Sequence, residues 1–180
     1  MKNKNRKLLI TGGSGFIGTS AVMYGIEKGY QVVNFDINPP KNSEFEESWQ
    51  EIDLINLDSL SIAVQRFQPT HILHLAADLG MEHKDFDNLQ CNIKGIDNLI
   101  ESINNIDTIQ RIIFTSSLLV CENGYIPSND IDYNPPNLYG KSKVIGEKKI
   151  RSANLNCEWA IVRPTSIWGP WFDYSYKDFL

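Results

Sequence analysis

An apolar run, Lys7-Leu8-Leu9-Ile10-Thr11, leads straight into Gly12, Gly15 and Gly18, spaced G-x-x-G-x-x-G, and then into residues at helical spacing. Strand, tight turn and helix start follow in the order that a dinucleotide phosphate site needs. Gly12 permits the sharp turn, Gly15 lets a pyrophosphate approach the backbone, and Gly18 lets the helix sit close to the strand. The free N–H groups and dipole at the helix start then favour the phosphate charge. Alone, the spacing also fits a glycine-rich surface turn, so the rest of the chain has to decide.

That remainder alternates short apolar strands with helical patterns. Strands are expected at about 7–11, 31–36, 49–54, 71–75, 111–114 and 158–163. Helices are expected at about 15–28, 57–67, 85–104 and 138–153. Gly29 is a helix stop, 41–47 reads as a polar surface connection, and 121–137 is a long irregular stretch of the kind that carries function. The alternation implies an α/β fold, a doubly wound parallel sheet with ligands at the strands' carboxyl ends. At 180 residues the chain is large enough for one such domain, spanning 1–180.

Net charge of −5 gives no reason to expect a nucleic-acid or anionic-membrane partner, and no apolar run approaches a membrane helix. Cys91, Cys121 and Cys157 are odd in number and widely spaced, which fits reduced thiols in a cytoplasm. His71 and His74 lie in one strand-like run without further metal ligands and read as core or cleft-edge histidines; no metal is expected.

Asp36 closes the second strand, 18 residues after Gly18. A carboxylate there accepts hydrogen bonds from an adenosine ribose and repels a 2′-phosphate, and no arginine follows closely. NAD is therefore favoured over NADP. Tyr139-x-x-x-Lys143 puts both side chains on one helix face, where the ammonium, with a cationic nicotinamide, is expected to bring the phenol into range as a proton carrier. Tyr24 and Lys28 have the same spacing but lie on the first helix, so they read as structural. Ser117, at the end of the fifth strand, is placed either to orient a substrate oxygen or to cap a turn.

With these residues the chain resembles the NAD-dependent epimerase/dehydratase family of the extended short-chain dehydrogenase/reductase superfamily. The resemblance runs through Thr11–Gly18, Asp36, Asp53-Leu54, His74–Ala77, Asn92–Gly95, Thr115–Ser117, Tyr139–Lys143 and Arg163–Pro170. It implies catalytic Ser117, Tyr139 and Lys143. It implies cofactor contacts from Gly12, Gly15, Phe16, Ile17, Gly18, Asp36, Asp53, Leu54, Leu75, Ala76, Ala77, Asn92, Lys143, Pro164 and Thr165.

The implied activity is an NAD-dependent nucleotide-sugar epimerase, an isomerase working through oxidoreductase chemistry. A keto-sugar reductase and a non-catalytic NAD-binding module are the alternatives. Dehydratases of this family carry acidic residues directly after the serine position; Leu118 and Leu119 stand there and move no proton. Cys121-Glu122 replaces the family's usual Tyr-Gly. The implied partners are a nucleotide sugar and a second copy of the chain, joined through the helices around 85–104 and 138–153. The resemblance also implies a C-terminal substrate domain, largely absent here, so the chain is expected to be the N-terminal part of a longer enzyme.

Overall fold

The computed structural model describes residues 6–80 and 85–172. Six parallel strands form one sheet: β1 (Lys7–Thr11), β2 (Gln31–Asp36), β3 (Trp49–Glu51), β4 (His71–His74), β5 (Arg111–Thr115) and β6 (Glu158–Val162). Their order is β3-β2-β1-β4-β5-β6, the order of a dinucleotide-binding sheet. The chain reverses direction across the sheet between β1 and β4, which opens a crevice at their carboxyl ends.

Four helices connect the strands: α1 (Phe16–Glu27), α2 (Leu57–Phe67), α3 (Gln90–Ile103) and α4 (Leu138–Ser152). Local chemistry sets their ends. Asn56 caps α2 by accepting from the Ser59 N–H, and Asn137 caps α4 by accepting from the Gly140 N–H. Gly29 closes α1 at φ +75°.

The two faces of the sheet are covered unequally. Leu9, Val33, Phe35, Ile72, Ile112 and Phe114 pack with Leu60, Val64, Ile96, Leu99, Ile103 and Ile150 from α2, α3 and α4. Across the sheet, Ile10 packs with Val22 of α1 and with Phe45 in a 3-10 turn over Ser43–Ser48. The expected polar connection at 41–47 thus sends one aromatic ring into the core. The third strand is shorter than expected: only Trp49–Glu51 pair with β2, and the Ile52 N–H is spent on the Asp36 carbonyl, 3.3 Å away. Released from the sheet, Ile52–Leu54 turn to line the crevice. The third helix starts at Gln90, after a 3-10 turn over Asp87–Leu89, and residues 81–84 lie outside the described part.

Candidate active site and cofactor cleft

A cleft of about 740 Å³ opens at the carboxyl ends of β1, β2 and β4. Of the expected cofactor residues, Gly12, Gly15, Phe16, Ile17, Gly18, Asp36, Asp53, Leu54, Leu75, Ala76 and Ala77 all line it. Gly12 turns at φ +73°, and a Cβ there would stand 2.6 Å from the Ala76 nitrogen. A Cβ on Gly18 would stand 2.0 Å from the Gly12 carbonyl oxygen, so the helix reaches the turn only through glycine.

The N-cap of α1 is Gly15, which offers no side-chain acceptor to the first helical N–H groups. They face a cleft that Gly12, Gly15 and Gly18 help to line, an arrangement that fits a pyrophosphate. Asp36 is held rigidly: Oδ2 accepts from the Ser14 N–H at 3.0 Å and Oδ1 from the Asn38 N–H at 2.9 Å. Both oxygens keep acceptor capacity for a ribose. The residues present therefore fit NAD.

Sequence reasoning missed several lining residues, among them Asp78, Cys91 and Phe172. The first two flank recognisable stretches, His74–Ala77 and Asn92–Gly95, but nothing in their residue type points to a cleft. Phe172 lies edge-on to Phe16 with ring centroids 4.8 Å apart, a contact between distant parts of the chain that no spacing encodes.

Asn92 takes a different place from the one expected. Its amide accepts from the Asp78 N–H at 2.8 Å and donates to the Asp78 carbonyl and the Ser142 hydroxyl. It braces the cleft wall against α4 rather than lining the cleft.

Ser117, Tyr139 and Lys143 meet where β5 and α4 converge. The Lys143 ammonium donates to the Thr115 carbonyl at 3.0 Å and lies 5.7 Å from the centre of the Tyr139 ring. Gly140 permits this approach: a Cβ there would stand 2.1 Å from the Leu119 carbonyl oxygen. Ser117 caps a turn, one of the two roles open to it in the sequence. Its oxygen accepts from the Leu119 N–H, capping the turn Leu118–Val120, while its hydroxyl sits against the Tyr139 phenol. Pro164 is fixed beside them through its carbonyl, which accepts from the Leu118 N–H, and Thr165 follows it on the exposed side.

Burial sets the titration of this group of side chains. Burial raises the Tyr139 phenol above its ordinary value, and the bond to Ser117 only partly offsets this. Lys143 is itself pushed down to about 8 by burial, with Cys91 and Glu147 opposing the shift. Without a cofactor the phenol is therefore neutral at pH 7, because loss of hydration outweighs the bond to Ser117. His74, buried and bonded to the Thr11 hydroxyl at 2.7 Å, is pushed down to about 3 by burial and then by Lys143. It is a neutral core histidine.

One turn beyond Lys143, Glu147 is 1% exposed. Its carboxylate accepts from Arg163 at 2.8 and 2.6 Å and from the Tyr133 hydroxyl at 2.9 Å. These bonds tie α4 to the end of β6 and to the irregular loop. That loop is orderly where Cys121-Glu122 replaces Tyr-Gly: Cys121 bridges Asn134, and the Asn134 carbonyl accepts from the Glu122 N–H. Tyr24 and Lys28 pair with each other on the outer side of α1, the ammonium 5.1 Å from the ring centre, as expected of a structural pair.

The family model described as the NAD dependent epimerase/dehydratase family matches residues 8–179. The chain belongs to this family. Its relatives include short-chain dehydrogenase/reductase family 42E member 1 of Macaca fascicularis, 28% identical over 94% of this chain and 48% of the relative. Another is the UDP-glucose 4-epimerase of Mycolicibacterium smegmatis, 26% identical over 91% of this chain and 57% of the relative. Among solved structures, the Thermotoga maritima UDP-glucose 4-epimerase with UDP-glucose has the same fold, with a TM-score of 0.80 at 23% identity over 93% of this chain and 58% of that one. The chain spans about half the length of the curated relatives it matches. NAD is the family's cofactor.

Proposed function

We propose that this chain is the cofactor-binding and proton-transfer part of an NAD-dependent nucleotide-sugar epimerase. The observation that carries this reading is the convergence of Ser117, Tyr139 and Lys143 at the β5–α4 junction, beside a cleft that fits a dinucleotide. Bound in the cleft, NAD supplies a hydride acceptor. Tyr139 would take the proton of the sugar hydroxyl as its carbon is oxidised to a ketone, and would return it when the ketone is reduced. Ser117 orients that oxygen. Lys143 holds positive charge near the phenol and anchors α4 to β5 through Thr115. Asp36 accepts from the adenosine ribose, and Asp53 and Leu54 flank the adenine. Leu118 and Leu119 offer no second acid or base, which supports epimerisation over loss of water.

Tyr139→Phe in the enzyme should abolish interconversion of the two sugar epimers while leaving the NAD dissociation constant within about twofold of the parent. Unchanged turnover would end the proposal. A keto-sugar reductase is the second reading, favoured by the dehydrogenase/reductase among the relatives. A reductase consumes reduced cofactor in proportion to product and an epimerase does not, so near-ultraviolet absorbance separates the two. A binding module without catalysis would show NAD affinity and no turnover with any nucleotide sugar.

A cytoplasmic setting fits the free thiols of Cys91, Cys121 and Cys157. No helix among the described residues is long and apolar enough to cross a membrane. A homodimer through α3 and α4 is supported by the half-buried Ile93, Ile100 and Ile145 among exposed charges on those helices. Light scattering at micromolar concentration should give twice the chain mass.

A further inference from the structure

We propose that Asn34 is a positioning residue for the cofactor turn: it holds residues 12–15 in their dinucleotide-binding shape before any ligand arrives. The proposal rests on the reading of the cleft as the NAD site. Asn34 sits in β2 opposite Ile10, between Val33 and Phe35, and is 0% exposed. An aliphatic side chain would suit such a place, and a buried amide is costly there unless it bonds. Its Nδ2 donates to the Ser14 hydroxyl oxygen at 2.9 Å, and that hydroxyl donates to the Asn38 carbonyl at 2.8 Å. The Ser14 and Asn38 N–H groups hold the two Asp36 carboxylate oxygens. One amide, one hydroxyl and one carboxylate therefore join the glycine turn to the end of β2 in a closed network.

The other end of the amide is informative. Asn34 Oδ1 is buried and receives no hydrogen bond. A Cβ on Gly13 would lie 2.3 Å from that oxygen and 2.4 Å from Cγ, so Gly13 is glycine to make room for Asn34. A residue chosen only to fill space would leave no oxygen unpaired. What the amide alone provides is the N–H to Ser14. The network fixes both the turn that presents α1's free N–H groups and the carboxylate that meets the ribose, so less ordering remains when NAD binds.

The test combines backbone amide exchange in the cofactor-free chain with calorimetric titration of NAD, for the parent, Asn34→Val, Ser14→Ala and the double variant. Both single variants should speed exchange at Ser14 and Asn38 about tenfold without changing Ile72 and Ile112 in the central strands. Both should weaken NAD about tenfold, with the double variant no worse than either single. Parental protection at Ser14 and Asn38 would overturn the proposal, as would faster exchange spread evenly through the sheet. Should Asn34→Val fail to fold, Ser14→Ala decides alone: unchanged exchange at Asn38 with unchanged NAD affinity refutes the role. A parent chain that does not bind NAD refutes the cofactor reading instead, and the exchange arm still decides whether Asn34 holds the turn.

Discussion

At the glycine turn, an added methyl group on Gly18 would meet backbone atoms at 2.0 to 2.8 Å, the Gly12 N–H donates to the Phe35 carbonyl, and the side-chain ties to the end of β2 run through the neutral Asn34 and Ser14 and the half-buried carboxylate of Asp36. Across the cleft, at α4, the geometry depends on charge taken out of water: Lys143 is 6% exposed and Glu147 1%. The first region is built by close backbone approach, which admits no extra volume. The second shares one such approach, at Gly140, and adds buried ions, for which loss of a partner is costly. Phosphate binding needs N–H groups aimed at one point, and close packing supplies that. Proton transfer needs groups whose protonation responds to surroundings, and burial supplies that at a cost in stability.

The largest effect should come from forcing volume into the first region. Gly18→Ala should cost about 4 kcal/mol or more and remove NAD binding, read by denaturant unfolding and calorimetry. A folded variant that binds NAD normally would show the turn to be pliable.

Next, in the second region, Glu147→Gln removes one partner of a buried ion pair and should cost about 3 kcal/mol. Burial alone would raise the Glu147 carboxyl, but Arg163 and Tyr133 hold it below the ordinary glutamate value. Its contribution is therefore present at neutral pH and lost as pH falls below the ordinary value and through the lowered one. The stability difference between parent and Glu147→Gln should shrink over that acidic range.

Lys143 should behave in the opposite sense. Burial lowers it from 10.5 to about 8, so the folded protein carries the full cost of the buried ammonium below about pH 8 and sheds it as pH rises toward 10.5. Lys143→Met should raise stability at pH 7 by about 1–3 kcal/mol while abolishing turnover, and the gain should vanish by about pH 10.5. A variant less stable than the parent at pH 7 would mean that the ammonium's bond to Thr115 outweighs its burial. The smallest effect belongs to a pair outside both regions. Arg111 and Glu158 form an ion pair with exposed side chains, and Arg111→Ala should change stability by less than about 0.5 kcal/mol.

Local chemistry is what the sequence makes legible here. The strand from Lys7 to Thr11, the stop at Gly29 and the placing of Asp36 at the end of β2 all follow from residue type and period. The cleft residues within Thr11–Gly18 and His74–Ala77 were readable for the same reason. The ties between distant segments were not. Asn34 reads as an oddity within Val32-Val33-Asn34-Phe35 until Ser14 is seen above it. Glu147 reads as one more charge on a helix until Arg163 arrives from the end of β6. At Tyr139 the spacing places a lysine near the phenol but says nothing of how much water is lost around it. The resemblance leaves Asn92 open as a structural or an active-site amide, and its bonds to Asp78 and Ser142 are those of a structural one.

The sheet itself carries the same contrast between its ends. Phe35 and Val33 of β2 are sealed under α2 and α3, whereas β6 leaves Trp159 and Val162 exposed, and Trp168 beyond it is 78% exposed. Among the described residues the β2 side of the sheet is covered and the β6 side is open.

Titration of the chain with NAD and, separately, NADP decides whether the cleft is an NAD site. With Asp36 fixed at the end of β2 and the glycine turn already formed, NAD should bind saturably at one site per chain and more tightly than NADP. Tighter binding of NADP, or no binding of either, would contradict the account.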